Sequence, residues 1–131
     1  MIIGVPKEIK SHEYRVSTLP AGVEEFTKRG YRVLVEKNAG MGSGYEDAMY
    51  EQAGATMVDG PAEVFAQADL VITGEGRLDR QSLQGKAAMA VAARVKRAGV
   101  PCVALVGCVG DGAEAALDHG LTAYRVIGEG L

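Results

Sequence analysis

Four residues stand out as types that could do chemistry: Arg15, Arg77, Asp79 and Lys86. Arg15 stands in "EYRV" (13–16), and a planar guanidinium can make two parallel, charge-assisted hydrogen bonds to a carboxylate. The other three stand in "TGEGRLDRQSLQGK" (73–86) with Gly74, Glu75, Gly76 and Gln81. Glycines there would let the backbone approach a ligand, an aspartate could act on a hydroxyl or a metal, and cations could neutralise phosphate. Each motif also has a plain structural reading. Arg15 would be a solvated loop arginine, since an isolated exposed charge binds little. Residues 74–86 would be a strand-to-helix loop, with Asp79 or Ser82 as a local cap.

Other motifs exclude more than they suggest. The cluster "AGMGSGYE" (39–46) spaces its glycines as Gly40, Gly42 and Gly44, which lacks the third glycine position of a dinucleotide fingerprint. "GCVGDGAE" (107–114) has no lysine for a phosphate-binding loop. His12 and His119 each stand alone, with no second ligand at metal spacing. No metal and no cofactor are expected.

The elements that must position these residues read as alternating strands and helices. Apolar runs at 2–5, 32–36, 55–58, 69–73, 102–107 and 123–127 are rich in Val, Ile and Leu, as a parallel sheet covered on both faces requires. Between them, Pro20 opens a helix with Val23 and Phe26 inward and Gly30 at its end, and Asp59 is placed to cap a helix at Pro61. Ala88, Val91, Ala92 and Val95 share one face of a helix that Gly99 and Pro101 stop. Asp111 with Glu114 spells a capping box before a last helix ending at Gly120. Leu19, directly before Pro20, is a poor N-cap, with the better capping residue Thr18 one position away; the missing cap would cost about 1 kcal/mol.

A chain of 131 residues suits one domain with its own core. A net charge of -3 with scattered Lys and Arg and 5% aromatic residues gives no surface for nucleic acid. No apolar run approaches transmembrane length, and the N-terminal apolar stretch is too short for a signal peptide, so a cytoplasmic protein with no membrane partner is expected. Cys102 and Cys108, if extended between, lie roughly 20 Å apart, too far for a disulfide, and read as buried small residues in a reducing compartment.

Residues 1–71, with "GVPKEIK", "EYRV", "AGMGSGY" and "ADLV", resemble the N-terminal part of alanine dehydrogenase. From "ADLV" onward, "TGEGRLDRQSLQGK" and "HGLTAYRVI" resemble the C-terminal part of a type I glycerate kinase. The first resemblance implies that Arg15 binds a substrate carboxylate. The second implies substrate or phosphate contacts for Arg77, Asp79 and Lys86. Where the dehydrogenase pattern has "VKVKEP" with its lysine, "VITGEGR" stands here. The two resemblances together imply a chimera of engineered origin, one domain over 1–131 with a seam near 67–73.

The fold expected is a three-layer α/β/α sandwich with a parallel sheet, flavodoxin-like, in strand order 2-1-3-4-5 with a sixth strand at an edge. Loops 6–19, 37–45 and 74–86 would crowd the carboxyl ends of the strands, where Arg15 and Arg77 would face one crevice. The function expected is a non-catalytic scaffold with a vestigial anion cleft. Weak small-anion or carboxylate binding and residual glycerate kinase activity are the alternatives. The edge strand near the C-terminus offers a surface for a homodimer.

Overall fold

A computed structural model describes residues 1–9, 14–84 and 87–127. Its strands are β1 (Ile2–Val5), β2 (Arg32–Glu36), β3 (Thr56–Val58), β4 (Leu70–Leu78), β5 (Cys102–Val109) and β6 (Ala123–Val126). They form one sheet in the order β3-β2-β1-β4-β5-β6, all pairs parallel.

Because successive side chains of a strand point to opposite faces, each central strand needs cover on both sides. Val33 and Val35 of β2 join Val5 in a cluster closed by Val23 of α1 (Pro20–Lys28) and Tyr50 of α2 (Asp47–Gln52). Leu34, between them, belongs to the other cluster, with Val71, Ala104 and Val106. That cluster is closed by Val64 of α3 (Pro61–Gln67), Val91 and Val95 of α4 (Ala87–Arg97) and Ala116 of a 3-10 segment, Ala113–His119. Helices therefore flank both faces, and the three-layer expectation holds. On α4 the inward face is the expected one, Ala88, Val91, Ala92 and Val95 all being buried.

The strand order differs from 2-1-3-4-5. β4, not β3, lies beside β1, in the register Ile3↔Leu70 and Gly4↔Val71, and β3 lies outside β2. Burial explains the arrangement. Thr56 of the three-residue β3 is exposed and Met57 half-buried, which suits an edge, whereas Val71, Ile72 and Thr73 of β4 are all buried and need neighbours on both sides. The result is the Rossmann-like order. The sixth strand does occupy an edge, beside β5. Gly4 permits the close seating of α3 on β1, since a Cβ there would lie 2.6 Å from Val64 Cγ1 and 2.9 Å from the Ala68 Cβ.

Local expectations divide. Leu19 is the N-cap of α1 with no side-chain cap bond, and Gly30, Gly99 and Gly120 close their helices at positive φ. Neither Asp59 nor Asp111 caps: the N-cap residues are Gly60 and Gly112, and the Asp59 carboxylate pairs with Lys37 instead. The final helix is a 3-10 segment rather than an α-helix. Strand β4 does not stop at residue 73 but runs to the fully buried Leu78, because β5 continues beside it through Gly74↔Leu105 and Leu78↔Val109. Both cysteines are free, but only Cys102 is buried; Cys108 is exposed because the last residues of β5 run beyond the covered part of the sheet. Among the described residues, no helix is long and apolar enough to cross a membrane.

Candidate functional site

From β1 the chain winds outward to β2 and β3; from β4 it winds the other way to β5 and β6. The order therefore reverses between β1 and β4, and ligands of open α/β sheets bind beyond the carboxyl ends of the strands at such a point. A cleft of about 240 Å³ opens there, lined among others by Glu8, Arg15, Ser17, Gly74, Glu75 and Leu105.

Hydrogen bonds hold residues 14–18 of the segment after β1 over this cleft. The Ser17 hydroxyl donates to the Ile72 carbonyl at 2.9 Å. The buried Tyr50 hydroxyl donates to the Thr18 carbonyl at 2.8 Å, and the Ser43 hydroxyl donates to the Tyr14 carbonyl at 2.8 Å. Among the described residues, loop 37–45 meets this segment at Tyr14. So held, Arg15 lies over Gly76, whose Cβ, if present, would be 3.1 Å from Nη1.

Arg15 Nη2 stands 3.8 Å from Glu75 Oε1, with the arginine side chain 65% exposed and the glutamate 8%. The same Oε1 accepts the Gly76 amide at 3.2 Å, while Glu75 Oε2 is buried with no hydrogen-bond partner. Glu8 is also buried and accepts the Thr73 hydroxyl at 2.8 Å. Among the described residues, the site thus holds two buried carboxylates and one guanidinium. Glu8 was not legible as a site residue because "PKEIK" reads as an ordinary polar loop. Glu75 stands within the 73–86 motif, but its inward position depends on β4 continuing through Gly74 and Gly76.

Arg77 and Asp79 lie elsewhere. With Arg80, Gln81 and Asp111 they line a second cleft: Gly76 lies under Arg15, and Arg77 packs against Gly110. Arg15 and Arg77 therefore do not share one crevice. Arg77 Nε donates to Asp79 Oδ2 at 2.8 Å, and this hydrogen bond and charge hold the guanidinium proton more firmly than usual. Asp79 Oδ1 accepts the Gln81 amide, and Ser82 Oγ accepts the Asp79 amide, both at 2.9 Å. The expected local caps are present, over the 3-10 segment Arg80–Gln84. Lys86 and His12 lie outside the described residues. His119 Nδ1 is within hydrogen-bonding distance, 2.9 Å, of the Ala115 carbonyl. Among the described residues no His, Cys, Asp and Glu gather as a metal site would need.

The model of the alanine dehydrogenase/PNT N-terminal domain matches residues 4–103. The alanine dehydrogenase of Bacillus subtilis is 37% identical over 132 aligned residues, 99% of this chain and 32% of that protein. The alanine dehydrogenase of Staphylococcus saprophyticus is 54% identical over 65 residues, 50% of this chain and 18% of that protein. Among solved structures, an L-alanine dehydrogenase superposes with a TM-score of 0.58 at 26% identity, over 82% of this chain and 26% of its own. A transhydrogenase from Sinorhizobium meliloti gives 0.59 at 25% identity, over 82% and 28%. The chain thus spans about a third or less of the length of these relatives.

Proposed function

We propose, for a chain that belongs to the alanine dehydrogenase/PNT N-terminal domain family, a non-catalytic role: a folded scaffold that carries parts of an active site and completes none. The observation that carries this reading is the Arg15–Glu75 pair. The guanidinium that the dehydrogenase resemblance assigns to a substrate carboxylate already has a carboxylate of the protein 3.8 Å away. A substrate anion would have to displace that contact and meet the charge of Glu75 at close range. The kinase-like residues are engaged in the same way, Arg77 by Asp79 and Asp79 by its own loop.

Within this reading the second half has a separate, glycerate-kinase-like origin, joined by engineering near residues 67–73, the end of α3 and the start of β4. A central parallel strand accepts such an exchange, because its packing asks mainly for volume and apolarity and its ladder is backbone chemistry. The family match runs through this seam to residue 103, so the kinase-like origin rests on the motif at 73–86 and on residues 119–127.

A second reading is a weak carboxylate binder that uses Arg15, favoured by the exposure of that side chain at the reversal point of the sheet. Millimolar affinity, on the order of -4 kcal/mol, is its ceiling. Activity assays separate a scaffold from an enzyme. L-alanine with NAD, followed by absorbance, and glycerate with MgATP, followed by ADP release, are expected to run at the protein-free rate. A rate above that control, lost in Arg15→Ala for the first assay or Arg77→Ala for the second, overturns the scaffold reading.

A further inference from the structure

Strand β6 lies at an edge of the sheet, with β5 on one side and, among the described residues, no strand on the other. Its register decides which backbone groups look outward. The Ile127 amide donates to the Val106 carbonyl at 2.8 Å, and Arg125 stands opposite Leu105, so Arg125 and Ile127 turn their N–H and C=O groups toward β5. The residues alternating with them in an edge strand turn theirs out; here these are Tyr124 and Val126. One outward group is already taken, since Arg125 Nη1 donates to the Tyr124 carbonyl at 3.1 Å.

A second copy of the same edge, laid antiparallel, would exchange hydrogen bonds between outward residues only. The arrangement that uses both of them sets Tyr124 opposite Val126 of the second copy and passes the two-fold axis through residue 125. Tyr124 and Val126 pack against the core on one face of the sheet, and an aromatic opposite a β-branched residue is a favourable pair. On the other face Ala123 would meet Ile127, a side chain 59% exposed. Those pairs are apolar. The central pair is not, because Arg125, the exposed residue of the strand, would stand opposite its own copy, and like charges directly opposite destabilise a sheet. The same guanidinium would also have to leave the Tyr124 carbonyl before that oxygen could accept an amide of the second copy.

We propose that the outer edge of β6 is a self-association surface for a second copy of this chain, held closed by Arg125. Read against its own reverse, "AYRVI" (123–127) sets apolar side chains against apolar ones everywhere except at its centre. One charge therefore decides whether the edge pairs. The inference stands apart from the scaffold reading, since no ligand and no reaction enters it.

The test is sedimentation equilibrium of the full chain over a concentration series. Arg125→Thr, uncharged and β-branched, is expected to dimerise with a dissociation constant about tenfold or more below that of the parent. The parent and Arg125→Glu are each expected to stay monomeric where Arg125→Thr dimerises, because each sets like charges at the axis. An equimolar mixture of these two is expected to form a heterodimer, since the axis then carries opposite charges. A parent that dimerises as tightly as Arg125→Thr, an Arg125→Thr chain that stays monomeric, or a mixture that stays monomeric overturns the proposal.

Discussion

Arg15 Nη2 and Glu75 Oε1 are 3.8 Å apart across a boundary, the arginine largely in water and the glutamate almost wholly within the protein. The two ends respond differently to substitution. An exposed guanidinium contributes little by itself because solvent screens it, but its removal leaves Glu75 more poorly compensated. Arg15→Ala is expected to cost up to about 1 kcal/mol at neutral pH, and less in a Glu75→Gln background. Urea midpoints of the four proteins of this double-mutant cycle measure the coupling; equal costs in both backgrounds would show that the two charges do not interact.

Tyr50 ties the helix layer to the loop that carries Arg15. Its hydroxyl donates to the Thr18 carbonyl at 2.8 Å in a fully buried setting, and burial pushes the phenol up to about 12. Tyr50→Phe removes the donor and leaves that carbonyl unsatisfied, at a cost of roughly 1–3 kcal/mol. A loss of that size in urea unfolding is the expected outcome, with an unchanged midpoint as the contrary one.

Glu36 makes stability depend on pH in the direction opposite to a salt-bridged carboxylate. Burial pushes its carboxyl above the ordinary 4.5, against the opposing hydrogen bond from the Lys7 amide. The folded state therefore holds the proton more tightly than the unfolded one. The stabilising contribution is present below about 4.5 and is lost as pH rises through the folded-state value. Glu36→Gln keeps an acceptor for the Lys7 amide and removes this loss. Urea midpoints measured upward from pH 4.5 should fall less in the variant than in the parent; parallel curves contradict the assignment.

The two thiols should react at very different rates. Burial pushes the Cys102 thiol up to about 12, whereas Cys108 is exposed at the end of β5. Since the thiolate is the reactive form and access is required, native protein is expected to take one equivalent of a thiol reagent rapidly at Cys108. The second follows only at the rate of unfolding. Peptide mapping that finds early modification at Cys102 would contradict the packing of β5.

Much of this architecture was legible in the residues, because apolar runs separated by amphipathic segments leave few solutions other than a covered parallel sheet. The strand order was not. It turns on the edge character of β3, where the exposure of Thr56 beside the burial of Val58 is a property of the assembled sheet. The site was legible in part. Arg15 follows from the resemblance carried by "EYRV", and the caps at Asp79 and Ser82 follow from local chemistry. The burial of Glu8 and Glu75 does not, because a strand running through Gly74 and Gly76 is fixed by the β5 ladder. The separation of Arg15 from Arg77 has the same origin, since it depends on how far β4 runs beside β5.

The most direct measurement of the central claim is an amide NMR spectrum of the protein titrated with pyruvate. The scaffold account predicts a dispersed spectrum in which the amides of residues 14–18 and 74–79 show no saturable shift up to about 10 mM, beyond the millimolar scale of a weak site. Saturable shifts at Arg15 and Glu75 well below that concentration would contradict it, and would mean that the guanidinium releases Glu75 to take a substrate carboxylate.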